Sequence, residues 1–164
     1  MFIWCYKKGC IMNIFVLDNN LILNAQYHCD KHVVKMITEY NQLLCSAYYF
    51  TNHIPDNIYK LTHKNHPCAM WARESLSNWL WLRDMTLALC KEYTYRYGKI
   101  HKGETVCLSL PIPHIIDNGM TSFAQAMPEQ YHYDNPVLAY RNYYLGEKRH
   151  LFNWKNRTVP EWVM

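Results

Sequence analysis

The sequence predicts an all-α fold, a compact single-domain helical bundle with a long central helix, and three observations point there. Residues 30–50 place Val33, Met36, Ile37, Tyr40, Leu43, Leu44 and Ala47 at helical spacing. Residues 67–98 run from a proline to a glycine, with apolar side chains such as Trp71, Leu76, Trp79, Leu82 and Leu89 on most sides. No alternating strand pattern longer than a few residues, no internal repeat and no low-complexity tract interrupts that reading. With 164 residues, half hydrophobic and 18% charged, the chain is one domain's worth and can bury a real core.

The elements follow in order. Residues 1–11 carry Lys7, Lys8 and Gly9 after a short uncharged start. Length and charge order are wrong for a secretory leader, so an N-terminal extension is expected, with the helical domain spanning 12–164 from Met12 onward. Residues 14–17 read as a short extended piece and residues 30–50 as the first helix. Pro55 and Asn57 mark a polar loop over 52–65. Pro67 then suits the first turn of a helix that Gly98 closes, with Trp71 and Trp79 expected in the core and Trp81 exposed. A short helix is expected at 104–108, then a loop punctuated by Pro111, Pro113 and Gly119. Thr121 is expected to cap a small helix over 122–127, and the last helix to run over 136–152 with Gly146 as a point of interruption. No stretch reaches the roughly 20 apolar residues needed to cross a membrane. Seven cysteines, an odd number scattered through apolar patterns, read as reduced thiols in a cytoplasmic setting, the host-cell cytoplasm if the protein is viral.

On the first long helix His28, His32, Lys35, Glu39 and Gln42 are spaced 4, 3, 4 and 3 apart and form one polar stripe opposite the apolar face. Two imidazoles, an ammonium, a carboxylate and an amide on one face suit chemistry better than packing. A carboxylate one turn from a lysine stays ionised and oriented, able to polarise a nucleophile or support positive charge on a sugar ring. The bland alternative is an ordinary intrahelical pair at a wet surface, worth a few tenths of a kcal/mol.

Net charge is only +4, but its distribution is uneven. Residues 140–157 hold Arg141, Lys148, Arg149, Lys155 and Arg157 against Glu147 alone, interleaved with Tyr143, Tyr144, Phe152 and Trp154. Cations for phosphates and rings for bases are the parts of a nucleic-acid surface. Other chemistries find less support. There is no Gly-x-Ser-x-Gly elbow, and five glycines in all leave no phosphate loop. Histidines at His28, His32, His63 and His66 invite a metal, yet no Cys-x-x-Cys or His-Glu-x-x-His spacing accompanies them.

Residues 30–39 (DKHVVKMITE), 65–71 (NHPCAMW) and 90–98 (CKEYTYRYG) resemble the pyrimidine-dimer DNA glycosylase family of the phage endonuclease V type and its bacterial relatives. Over 12–162 the chain also resembles a group of small uncharacterised phage proteins. The resemblance implies a compact helical fold. It also implies a DNA-repair hydrolase that extrudes a damaged or modified base and cuts its N-glycosidic bond. It assigns Glu39 as the catalytic carboxylate and His32 to the basic position seven residues earlier; Lys35 joins them in tuning that carboxylate. Thr38 and Gln42 stand where the family places arginines. The phosphate grip is therefore expected from Lys31, Arg73, Arg141, Lys148, Arg149 and Lys155, with Lys35 and Lys64 as further candidates, and His66 is expected to bind the nucleic acid by lining the pocket with Trp71. The lyase step of some members, which uses an N-terminal amine, is not expected, and no cofactor or metal is. Two other readings stand beside the enzyme. One is a non-catalytic nucleic-acid or nucleotide-binding protein, with DNA the first partner and RNA or a nucleotide the alternatives. The other is a metal-binding protein using His28, His32, His63 and His66.

Overall fold

The computed structural model describes residues 12–164; the expected extension at 1–11, with Cys5 and Cys10, lies outside the described residues. Among the described residues six helices carry the fold: α1 (Leu21–Tyr27), α2 (Asp30–Tyr48), α3 (Pro67–Glu74), α4 (Leu76–Tyr97), α5 (Lys102–Ser109) and α6 (Pro136–Glu147). Single 3-10 turns add Glu129–Tyr131, Arg149–Leu151 and Glu161–Val163, and no strand occurs among the described residues. The protein is all-α. The α2–α4 pairing forms its centre, with α1, α3 and α5 packed against α4. No described helix is long and apolar enough to cross a membrane.

The extended piece is longer than expected and is buried throughout, from Met12 to Leu17. An extended backbone inside a helical core has no ladder to satisfy its amides, so side chains must do so. Phe15 N donates to the Tyr40 hydroxyl at 3.0 Å and Leu17 N to Asn24 Oδ1 at 2.9 Å. Asn24 Nδ2 returns a bond to the Phe15 carbonyl at 3.2 Å. These bonds explain why Asn24 and Tyr40 are fully buried. They sit on α1 and α2, and Asn20 starts α1 by accepting from the amides of Ile22 and Leu23.

The apolar face of α2 is buried as its spacing predicts, from Val33 to Ala47. Pro67 stands in the first turn of α3 and Gly98 ends α4 in the left-handed region at φ 66°. The single helix expected between them is instead two. Ser75 breaks it in an extended conformation (φ −148°, ψ 147°) because a loop some forty residues on captures the local bonds. Asp117 Oδ1 accepts from Ser75 Oγ, Ser77 N and Ser77 Oγ at 2.7–3.0 Å, and Leu76 N donates to the Ile116 carbonyl at 3.2 Å. Asp117 thus serves as the cap of α4 from outside the helix.

The helix expected at 122–127 does not form. Thr121 N donates to Asn78 Oδ1 at 3.0 Å and Asn78 Nδ2 to Thr121 Oγ1 at 2.7 Å, so a buried residue of α4 takes the role a local cap needed. Phe123 then stacks on Trp71 at 5.0 Å and meets Trp81 edge-on at 4.8 Å, which leaves Trp81 half-buried rather than exposed. Trp71 and Trp79 lie in the core. The last helix stops at Glu147, five residues early. The Tyr131 ring packs so closely on Gly146 that a Cβ there would overlap it.

The chain after α6 is pinned across the start of α2. Asp30 N donates to the Asn153 carbonyl at 2.8 Å, and the Asp30 carboxylate accepts from Asn153 Nδ2 at 2.5 Å and from Lys155 N at 3.0 Å. Behind it Arg96 is fully buried, spending its donors on Glu92 Oε1 (2.7 Å), Asp30 Oδ1 (2.8 Å), the Gln26 carbonyl (2.9 Å) and the His28 carbonyl (3.0 Å). Glu92 is shared with Arg157 at 2.9 Å. This lattice joins α1, α2, α4 and the C-terminal segment.

Candidate functional site

The polar stripe is real but shorter than expected. Because α2 starts at Asp30, His28 is the residue that closes α1, and it is fully buried. Its Nδ1 hydrogen-bonds the Asn24 carbonyl at 2.7 Å, and desolvation lowers its pKa to about 4. His32, Lys35, Glu39 and Gln42 do share one face of α2. His32 is buried, stacked on Phe15 at 4.6 Å with Nδ1 2.5 Å from the Tyr144 hydroxyl. Burial lowers its pKa to about 2, helped by the charges of His28, Lys148, Lys35 and His150. His32 is therefore neutral at pH 7 and shapes the site without charging it.

Glu39 is the unusual member. Its side chain is 9% exposed; Oε1 pairs with Lys35 Nζ at 3.0 Å, while Oε2 is buried with no hydrogen-bond partner. Lys35 itself is half-exposed. A buried, unsatisfied acceptor costs about 1–3 kcal/mol, so a group in that state calls for an explanation.

The C-terminal basic segment divides. Arg141 does not face outward for a phosphate: it donates to the Leu17 carbonyl at 2.8 Å and pairs with Asp18 at 3.0 Å. Arg157 belongs to the Glu92 lattice. Arg149 is exposed and holds the Leu145 carbonyl at 3.0 Å, and Lys155 is exposed beside the Tyr97 ring. Lys148 is half-buried. Its Nζ lies 5.1 Å from the Tyr143 ring centre, and Tyr143 stacks at 6.3 Å on the Phe15 ring that carries His32. Burial lowers the Lys148 pKa, and Lys35 lowers it further. Lys148 lies near enough to His32, Lys35 and Glu39 for their charges to act on one another.

The remaining expected residues lie apart from this cluster or carry structural duties. Lys31 and Lys64 are exposed. His66 caps α3, accepting from Cys68 N at 3.1 Å. Arg73 sits 3.9 Å over the Phe50 ring, with Nη1 buried and unpaired. Among the described residues no group of three or more His, Cys, Asp or Glu is placed to hold a metal ion. His28 is enclosed in the core, while His63 and His66 stand 6.4 Å apart on the 52–66 loop and the start of α3, with His63 exposed. The four histidines do not assemble a metal centre.

Tyr143 belongs to the rings expected of the basic segment, whereas the sequence did not single out Tyr131. Tyr131 packs on Tyr143 at 5.5 Å and donates to Glu147 Oε1 at 3.0 Å. Tyrosines interleaved with lysines near residue 143 were the available signal, but nothing local ties Tyr131 to them. A separate groove of about 510 Å³ lies between α1 and α4, floored by Leu21, Ala25 and Leu87 and rimmed by Lys91 and Arg157. No residue of the stripe lines it. Comparison with family models, curated proteins and solved structures finds no match.

Proposed function

We propose that this chain is a DNA glycosylase-like enzyme acting on a damaged or modified base, with Glu39 supporting the positive charge that develops on the sugar as the N-glycosidic bond breaks. The observation that carries the reading is the Glu39 carboxylate. One oxygen is fixed by Lys35, and the other is buried and without a partner. The ion pair with Lys35 orients the group, and seclusion from water strengthens its field on any charge that forms beside it. The sequence resemblance over 30–39, 65–71 and 90–98 supplies the substrate class. Lys148 and Lys35 supply cations for the backbone on either side of an extruded nucleotide.

Entry to Glu39 requires the Lys35 side chain to swing aside. That side chain is half-exposed and so has room in solvent to move. DNA is the first substrate, with RNA the alternative. The test is base release from oligonucleotides carrying assorted lesions. The wild-type chain releases a base, and Glu39→Gln slows release about 100- to 1,000-fold while still binding the oligonucleotide. Binding without release by the wild type replaces the enzyme with a nucleic-acid-binding protein.

A further inference from the structure

The long helix α4 is apolar on most sides, and its inner face lies in the core through Trp79, Leu82, Met85 and Leu89, with α2 its main neighbour. A helix apolar all round is expected to be enclosed all round. α4 is not. On its outer side Leu80, Leu87 and Ala88 are only partly covered and Tyr95 is 54% exposed, while Ile22 of the adjoining α1 is 64% exposed. Asp84, Leu87, Ala88, Lys91 and Tyr95 line one side of the groove of about 510 Å³ between α4 and α1, and Ile22 lines the other.

Two charges flank the apolar centre of this face. Asp84 and Lys91 are exposed, and neither forms an ion pair among the described residues. Two turns apart on one helix, they stand about 10 Å from each other along its axis and do not neutralise one another. The outward order Leu80, Asp84, Leu87, Ala88, Lys91, Tyr95 is symmetrical about the midpoint between Leu87 and Ala88. A second α4 laid antiparallel across it therefore meets it in register. Asp84 of each copy faces Lys91 of the other, Leu87 faces Ala88, and Leu80 faces Tyr95. A parallel pairing would instead set Asp84 on Asp84 and Lys91 on Lys91. Complementing itself in this way is what a two-fold interface requires of a patch. A bulky leucine against a small alanine at the centre also lets the two helices approach closely.

We infer that a second copy of this chain covers the α1–α4 groove, the two α4 helices crossing antiparallel about a two-fold axis between Leu87 and Ala88, with an Asp84 to Lys91 pair on either side. From Leu80 to Tyr95 the contact runs about 22 Å along each helix, and Ile22 of α1 is buried beside it. A contact of this extent lies at the low end of specific interfaces, so the dimer comes apart on dilution. His32, Lys35 and Glu39 do not line the groove, so the dimer stands independently of the activity proposed above.

Sedimentation velocity on the full chain from about 1 μM to about 1 mM reads the equilibrium, with the average mass rising from monomer toward dimer. Over the same range the wild-type amide resonances of Ile22 and residues 80–95 shift, a readout that needs no variant to fold. Lys91→Asp sets like charges together at both symmetry-related positions and weakens the dimer at least about tenfold. Asp84→Lys does the same. Combining Asp84→Lys with Lys91→Asp restores the dimer, because the swapped charges are again opposite across the axis. A chain that stays monomeric throughout overturns the proposal, and so does a dimer indifferent to Lys91→Asp. Amide shifts centred away from Ile22 and residues 80–95, or a folded double variant that does not recover the dimer, overturn it as well.

Discussion

Lowering the pH from about 7 to about 5 is expected to destabilise the fold through two histidines held neutral in its core. Desolvation puts the His28 pKa at about 4 and the His32 pKa at about 2, against 6.5 for each in the unfolded chain. Below 6.5 the unfolded chain binds protons that the folded chain refuses, so stability is full above that value and is lost as pH falls toward the folded values. Each histidine costs about 1.4 kcal/mol per pH unit. At pH 5 that is about 2 kcal/mol each and about 4 kcal/mol for the pair, enough to lower the melting temperature of a domain this size by roughly 8–16 °C. His66 and His101 are shifted in the same direction by partial burial and add to the slope. Burial pushes the Glu92 carboxyl up, but the hydrogen bonds and charges of Arg157 and Arg96 outweigh it and hold it below 4.5, so its contribution is lost only in stronger acid. Urea unfolding between about pH 7 and pH 5 measures the proton uptake, which should approach two or more. His28→Gln and His32→Gln should each remove about one proton whatever their own cost in stability. An uptake below one proton, or variants that leave it unchanged, would show that neither imidazole is held neutral.

Two further perturbations address the packing. Arg96→Met leaves Asp30 and the His28 and Gln26 carbonyls without their donor, and Glu92 with Arg157 alone; urea unfolding should show a loss of about 3–5 kcal/mol. Asp30 keeps its bonds to Asn153 and Lys155, and a loss under about 1 kcal/mol would count against the lattice. Gly103→Ala sets a Cβ 2.7 Å from Ile37 Cγ2 and 2.9 Å from Asn41 Nδ2, where α5 meets α2, and should cost about 1–3 kcal/mol by thermal denaturation.

What the sequence made legible was local. The apolar period of α2, Pro67 and Gly98 each act within a turn of themselves, and those features appear where their chemistry placed them. The Asn20 cap of α1 is equally local, but the helix it starts has only seven residues and little periodicity to mark it. The break at Ser75 had no such signal, since neither proline nor glycine is there; Asp117 makes it, and its sequence distance hides it. The missing helix at 122–127 has the same cause in Asn78. In the site, spacing found Lys35 and Glu39 together, but it could not show that Glu39 Oε2 would be enclosed or that Arg141 would be consumed by Leu17 and Asp18. Sequence spacing reports which face a residue occupies; burial is decided by whatever the rest of the chain lays over that face.

The extended piece at the start of the domain sets the order in which the molecule can be completed. Asn13 donates to the Ala126 carbonyl and accepts from the Tyr140 hydroxyl, and Arg141 reaches back to the Leu17 carbonyl, contacts that span 113, 127 and 124 positions. Loop closures of that length come late in folding, because ordering so much chain precedes any reward. During synthesis the 12–17 segment must wait for residues 126–141 before these contacts can form. Until α6 emerges that apolar stretch has no fixed berth and is open to chaperones and proteases.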